Sequence, residues 1–165
     1  MSKQFTIRQM KSTEEERVCD LIQRVFNEFV AIHYSQEGVQ EFLRYIDPVL
    51  LAKRIQSNHF ILLAELGEEL AGIIEVRHWN HISLLFVDSR FHRRGIAREL
   101  IGKALEISKG ECLELSEVTV NSSPNAVEAY EKLGFHVQGS DRIEHGIRFI
   151  PMIMHLGNGM HPLAA

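Results

Sequence analysis

Leu84-Leu85-Phe86-Val87-Asp88-Ser89-Arg90-Phe91-His92-Arg93-Arg94-Gly95-Ile96-Ala97-Arg98 is the most informative stretch of this 165-residue chain. An apolar run of strand length, His81–Val87, gives way to a short polar turn. From Arg94 the spacing becomes helical, with Ile96, Leu100, Ile101, Ala104 and Leu105 on one face. The first amides of a helix have no acceptor within it, and the helix dipole favours an anion beside them. Small residues at 95 and 97 let that backbone approach a diphosphate, and adjacent arginines add charge-assisted hydrogen bonds. Taken alone, the same residues also fit an ordinary basic helix start with a glycine used for packing. A Walker-type loop is disfavoured, because no Gly-Lys-Ser/Thr element is present. A dinucleotide fingerprint is weak too: one of its three glycines is there, and no parallel βαβ pattern follows.

Upstream, Phe5-Thr6-Ile7-Arg8 alternates as a half-buried strand does. Thr13 with Glu16 reads as a capping box. Val18, Leu21, Ile22, Val25, Phe26, Phe29 and Val30 then keep one face of a first helix apolar. Val39, Phe42, Leu43 and Ile46 repeat the pattern until Asp47-Pro48, and a short helix is expected over Val49–Ile55. Phe60–Ala64 and Leu70–Arg77 are β-like runs joined through Gly67. Downstream of the central helix, Lys109-Gly110 predicts a stop and Cys112–Val120 a strand. Ser123-Pro124 predicts another helix start, ending at Gly134. Phe135–Gln138 and Arg148–Met154 fit two closing strands, with Pro151 marking an edge or a bulge. The order is β, α, α, β, β, β, α, β, α, β, β. It predicts one domain over residues 1–156 and a loose tail over 157–165.

Composition bounds the function. Hydrophobic residues make up 45% and charged residues 24%, the balance of an ordinary globular chain. No apolar leader and no stretch near the ~20 residues of a membrane span is present, so a cytoplasmic protein without a membrane partner is expected. Cys19 and Cys112 have no metal-ligand spacing and read as reduced packing residues, and no metal is expected. A net charge of −4 speaks against nucleic-acid binding. Against that background Arg90, Arg93, Arg94, Arg98 and Lys103 form a local basic patch, opposed by Asp88 and Glu99. Such a patch suits a compact polyanion.

The segment His92–Ala97 resembles the acyl-CoA-binding motif of the GNAT acetyltransferases, Gln/Arg-x-x-Gly-x-Gly/Ala after a strand. His92 stands where that family usually has Gln or Arg. A second block, Val120-Asn121-Ser122-Ser123-Pro124-Asn125-Ala126-Val127-Glu128-Ala129-Tyr130-Glu131-Lys132-Leu133-Gly134-Phe135, is similar to the family's Asn-x-x-x-Asn-Ala…Tyr-x-x-x-Gly-Phe segment. The resemblance covers about Phe5 to about Leu156. It implies an α/β (α+β) acyltransferase fold: a mixed, mostly antiparallel twisted sheet of six to seven strands, helices on both faces, and the fourth and fifth strands splayed. It implies acetyl-CoA as co-substrate. Leu85, Phe86, Val87, His92, Arg93, Arg94, Gly95, Ile96, Ala97, Arg98, Asn121 and Asn125 are the residues expected around it.

The same resemblance implies N-acetyl transfer to a primary amine of a small molecule, peptide N-terminus or lysine, by direct attack in a ternary complex. Tyr130 matches the family's tyrosine and is the candidate general acid, a phenol being a donor at neutral pH. Alone, it would read as a core aromatic. Two base candidates follow. His81 lies on the strand that carries the base glutamate in histone-type relatives, and imidazole titrates near neutrality. Glu75 is a carboxylate inside an apolar strand, unusual unless it faces a cleft or a partner. Phe29 and Tyr34, with the loop after the first helix, are expected at the acceptor. A homodimer is common among such relatives. A non-catalytic acyl-CoA sensor is the alternative reading.

Overall fold

The structure, a computed structural model, describes residues 4–56 and 58–157; most of the expected tail over 157–165 lies outside the described residues. Elements run β1 (Thr6–Gln9), α1 (Glu15–Phe29), α2 (Gln36–Tyr45), α3 (Pro48–Arg54), β2 (His59–Leu66), β3 (Glu69–Arg77), β4 (His81–Val87), α4 (Ile96–Glu111), β5 (Glu117–Ser122), α5 (Val127–Lys132), β6 (His136–Val137), β7 (Arg142–Glu144) and β8 (Ile147–His155). They form one eight-stranded sheet, in the order β1-β2-β3-β4-β5-β8-β6, with β7 also paired to β8. All pairings are antiparallel except β4 with β5. The sequence leads to six or seven strands; the additional one is β7, which forms a hairpin with β8 through His145-Gly146, both at positive φ.

β2 and β3 are buried along nearly their whole length, because helices cover both faces of the sheet. On one face α1, α2 and α3 bury Val18, Leu21, Ile22, Phe26, Phe42 and Leu51 against Ile61, Leu63, Ile73 and Leu84. On the other, α4 and α5 bury Ile96, Leu100, Ile101, Ala104 and Tyr130 against Leu62, Ile74, Val76 and Val120. The apolar face of α1 read from the sequence is the buried face. Among the described residues no helix is long and apolar enough to cross a membrane.

Several local readings are corrected. The Thr13–Glu16 capping box does not form: Thr13 sits at φ 82, and the position before α1 is Glu14, without a side-chain cap. Glu14 is drawn instead to Arg8, at 2.6 and 2.9 Å, and to the Lys11 amide. α4 does not stop at Lys109-Gly110, since the ladder continues until the Cys112 amide reaches the Ser108 carbonyl. Cys112–Ser116 is therefore a turn, closed by the Leu115 amide on the Cys112 carbonyl. Its alternation reflects Leu113 standing in solvent, 91% exposed. Ser123 precedes a 3-10 turn, Pro124–Ala126, without accepting a capping bond. Pro151 is on neither an edge strand nor a bulge of the register: β8 has β5 on one side and β6 and β7 on the other. Its carbonyl accepts from the Gln138 amide. In a strand, N–H and C=O of one residue point the same way, so its missing donor falls between the β6 and β7 pairings.

α2 is seated directly on the β7–β8 turn. The Ser35 amide donates to the Gly146 carbonyl at 3.2 Å, while Ser35 Oγ caps α2 at the Gly38 amide. A methyl group on Gly38 would overlap the Gly146 carbonyl. Since the obstruction is backbone, Gly38→Ala must displace the helix, and overpacking of this kind costs about 1–3 kcal/mol. The expected result is a lower urea midpoint at unchanged slope; an unchanged midpoint would show that α2 is not held there.

Candidate active site

β4 and β5 are paired only at His81↔Thr119 and Ile82↔Val120. The reason lies one residue further on. Glu75 pairs with Leu84 and Val76 with Ile82, leaving Ser83 as an extra residue, a β-bulge. A bulge bends its strand, and here β4 turns away from β5 just where it occurs. The β4 peptide groups facing β5 beyond Ile82 thus have no strand partner there.

A cavity of about 370 Å³ occupies the opening and passes through the sheet. From the α1 and α2 face it is lined by Val25, Phe29, Val30, Tyr34 and Phe42; from the α4 and α5 face by Ala97, Ala126, Ala129, Tyr130 and Leu133. Its rims are Ile82–Val87 of β4 and Val120, Asn121, Ser123 and Asn125. Among the residues named from sequence, Phe29, Tyr34, Leu85, Phe86, Val87, His92, Ala97, Asn121, Asn125 and Tyr130 line this one space.

The turn before α4 lies at the mouth. Arg93 and Gly95 adopt left-handed conformations, φ 64 and 78, and the first intrahelical bond is Glu99 amide to Gly95 carbonyl. The amides of Ile96, Ala97 and Arg98 consequently have no acceptor inside the helix. At Gly95 a Cβ would meet nothing within 4 Å, so the space beside this backbone is open. Ile96 contributes its amide alone, because its side chain is 2% exposed in the core. Arg93, Arg94 and Arg98 are exposed. The basic patch is smaller than its composition suggests: Arg90 is bound to Asp88 and Lys103 faces Glu106.

Asp88, which from composition only opposes the basic patch, organises this turn. Buried at the end of β4, it accepts from the Arg90 amide at 2.9 Å and pairs with Arg24 and Arg90 at 2.6 and 3.1 Å. Burial alone would raise its pKa, but the bonds from Arg90 and Arg24 outweigh it and hold the carboxyl well below the usual range. An acidic residue closing an apolar strand ahead of a basic turn was the available signal. Helical periodicity assigns Phe42 and Val25 to the core, because it does not separate a core wall from a cavity wall.

The two base candidates are not in the cavity wall. Glu75 is fully buried under α3, where Arg54 holds it at 3.0 and 3.2 Å and the Tyr45 hydroxyl donates at 3.2 Å. It faces a partner rather than a cleft. His81 sits where β4 and β5 are still joined, its Nδ1 2.7 Å from Thr119 Oγ1. Burial, then the charges of Arg77 and His78, push its pKa down to about 4, so the ring is neutral at pH 7. The unfolded chain takes up this proton near 6.5, the folded chain only near 4. Between those values the unfolded state binds more protons, and stability falls as pH drops. His81→Asn should remove about 2–3 kcal/mol of the loss between pH 7 and pH 4.5, measured as the difference between variant and parent in denaturant unfolding. Equal losses in both would show that His81 is not held neutral.

The imidazole in the cavity is His92. Its Nε2 donates to the Val87 carbonyl at 2.8 Å, so that in the neutral imidazole Nδ1 is the acceptor, and its ring lies 5.5 Å from that of Phe29. Tyr130 packs edge-on against Phe135 at 5.4 Å, and burial raises its pKa above the ordinary phenol range, so it is protonated at neutral pH.

The sheet is thus parted between two parallel strands, with a glycine-led helix start at the mouth and a protonated phenol in the wall. The chain belongs to the GNAT acetyltransferase family: the Acetyltransferase (GNAT) domain matches residues 30–156. It is 25% identical to the uncharacterized N-acetyltransferase YafP of Escherichia coli (strain K12), over 84% of this chain and 85% of that one. It is 35% identical to N-alpha-acetyltransferase 30 of Xenopus laevis over 82 residues, 44% of this chain, and spans 30% of that protein's length. The fold is shared with PaiA N-acetyltransferase of Thermoplasma acidophilum in complex with coenzyme A, at TM-score 0.77 and 21% identity over 93% of this chain and 99% of that one.

Proposed function

We propose that this chain moves an acetyl group from acetyl-CoA to a primary amine by direct attack in a ternary complex. One observation carries the reading: a single cavity runs through a gap in the sheet from His92 and Ala97, which flank the open turn at Gly95, to a wall containing Tyr130. The residues at its mouth fit a CoA diphosphate, since that backbone can be approached closely and three arginines stand beside it. When bound, acetyl-CoA would supply the thioester carbon that the amine attacks. Amides of Ile96, Ala97 and Arg98 would hold the diphosphate. The free edge of β4 near Phe86 and Val87, with Asn121 and Asn125, would orient the arm by hydrogen bonds and polarise the carbonyl. The Tyr130 phenol would give its proton to the departing sulfur. The amine must lose a proton, and the Nδ1 acceptor of His92 is the group in the wall able to take it.

Isothermal calorimetry with acetyl-CoA, followed by thiol release on an amine panel, tests the reading. Binding with amine-dependent thiol release is expected. No heat with acetyl-CoA, or binding without release on any amine, would overturn it.

A further inference from the structure

The cavity is chemically divided. On the α4 and α5 side its lining includes the hydrogen-bonding groups of Asn121, Ser123, Asn125 and Tyr130. On the α1 and α2 side the wall is mostly apolar, built by Val25, Phe29, Val30, Phe42, Leu84 and Phe86 with the ring of Tyr34, and its other polar groups are Ser83 and His92. Rings link that end into one surface: Phe42 stacks on Phe26 at 4.1 Å and lies 5.9 Å from Phe86 and 6.4 Å from Tyr34. Among the described residues no Asp, Glu, Lys or Arg side chain lines the cavity. Glu28, the neighbour of Phe29, is exposed and accepts from Ser89 instead.

We propose that the acceptor is a primary amine carried on a short arylalkyl or branched-aliphatic group and bearing no second charge. The inference rests on the acetyl-transfer reading and adds the class of amine. A second ammonium placed at this end would give up its hydration and find no carboxylate in the wall. An apolar body would instead bury its surface against four rings. The same wall helps the chemistry. Desolvation disfavours the charged form of an amine, so an acceptor entering here is shifted toward the neutral nucleophile without a carboxylate base. That accounts for a site whose wall omits both Glu75 and His81.

The test compares thiol release with 2-phenylethylamine, isopentylamine, spermidine and free lysine, with acetyl-CoA affinity measured alongside by calorimetry. The expected kcat/KM for the two apolar monoamines exceeds that for spermidine and lysine by on the order of a hundredfold or more. An amidated tripeptide opening on Phe separates the two sources of such an amine: turnover above that of the free amines assigns the apolar body to a peptide's first side chain, and turnover below it to a small molecule. Phe29→Glu, on the half-buried rim, should lower the rate on 2-phenylethylamine and raise that on spermidine. Faster turnover of spermidine or lysine by the parent protein, with acetyl-CoA bound, would overturn the amine class and leave acetyl transfer standing. Absence of acetyl-CoA binding, or of any release, would overturn both together.

Discussion

Tyr130→Phe is expected to lower kcat by about 10²–10⁴ while leaving CoA affinity unchanged. The substitution removes one oxygen from a side chain that is 8% exposed, so packing against Phe135 and the α5 position survive. On the proposed mechanism, what is lost is the proton for the leaving sulfur. Burial keeps that phenol protonated through the neutral range, so the parent enzyme's activity at pH 7–8 should show no fall attributable to Tyr130. Stopped-flow or steady-state thiol release gives kcat, and calorimetry with CoA gives Kd. A variant with parental kcat would remove Tyr130 from the reaction. A variant with lost CoA binding would make it a structural residue of the cavity wall.

Arg54→Met should destabilise the fold by about 3–5 kcal/mol, because it leaves the Glu75 carboxylate buried without its counter-charge. Arg54 is well placed to matter. Its guanidinium contacts Glu75 through two nitrogens, donates to the Tyr45 carbonyl at 2.6 Å and lies 3.7 Å over the Tyr45 ring. Glu75 is fully buried, and the Tyr45 phenol is itself pushed up in pKa, by burial and then by the Glu75 charge. Replacing both partners, Arg54→Met with Glu75→Leu, should restore most of the loss, since an apolar pair of similar size costs little in such a site. Urea unfolding of both single variants and the double variant measures this. A cost for Arg54→Met below about 1 kcal/mol would class the pair with exposed ion pairs.

Much of the fold was legible because it is written in neighbouring residues. The repeat Val18-Leu21-Ile22-Val25-Phe26 can form one apolar face only as a helix, and α1 does so. Gly67 between two apolar runs reads as a hairpin, and β2 and β3 pair around it. The same locality explains the errors at Thr13 and Gly110. The capping motif does not form where Arg8 of β1 draws Glu14, and a glycine that could end a helix is carried through by the continuing ladder.

Apart from β7, the chain's order of elements, the apolar stripes of its helices and the glycine turn at 95 were determined by the sequence itself, since each depends on residues a few positions apart. Which side chains share the cavity was decided only in three dimensions. Inside the sheet, side-chain direction alternates with every residue, so the single inserted residue at Ser83 resets the two ends of β4 relative to β3 and parts it from β5. That one insertion leaves His81 at the joined end of the strands. Glu75 pairs with Arg54 on the α3 face, and the folded turn at 88–95 brings His92 back onto Val87 and into the wall.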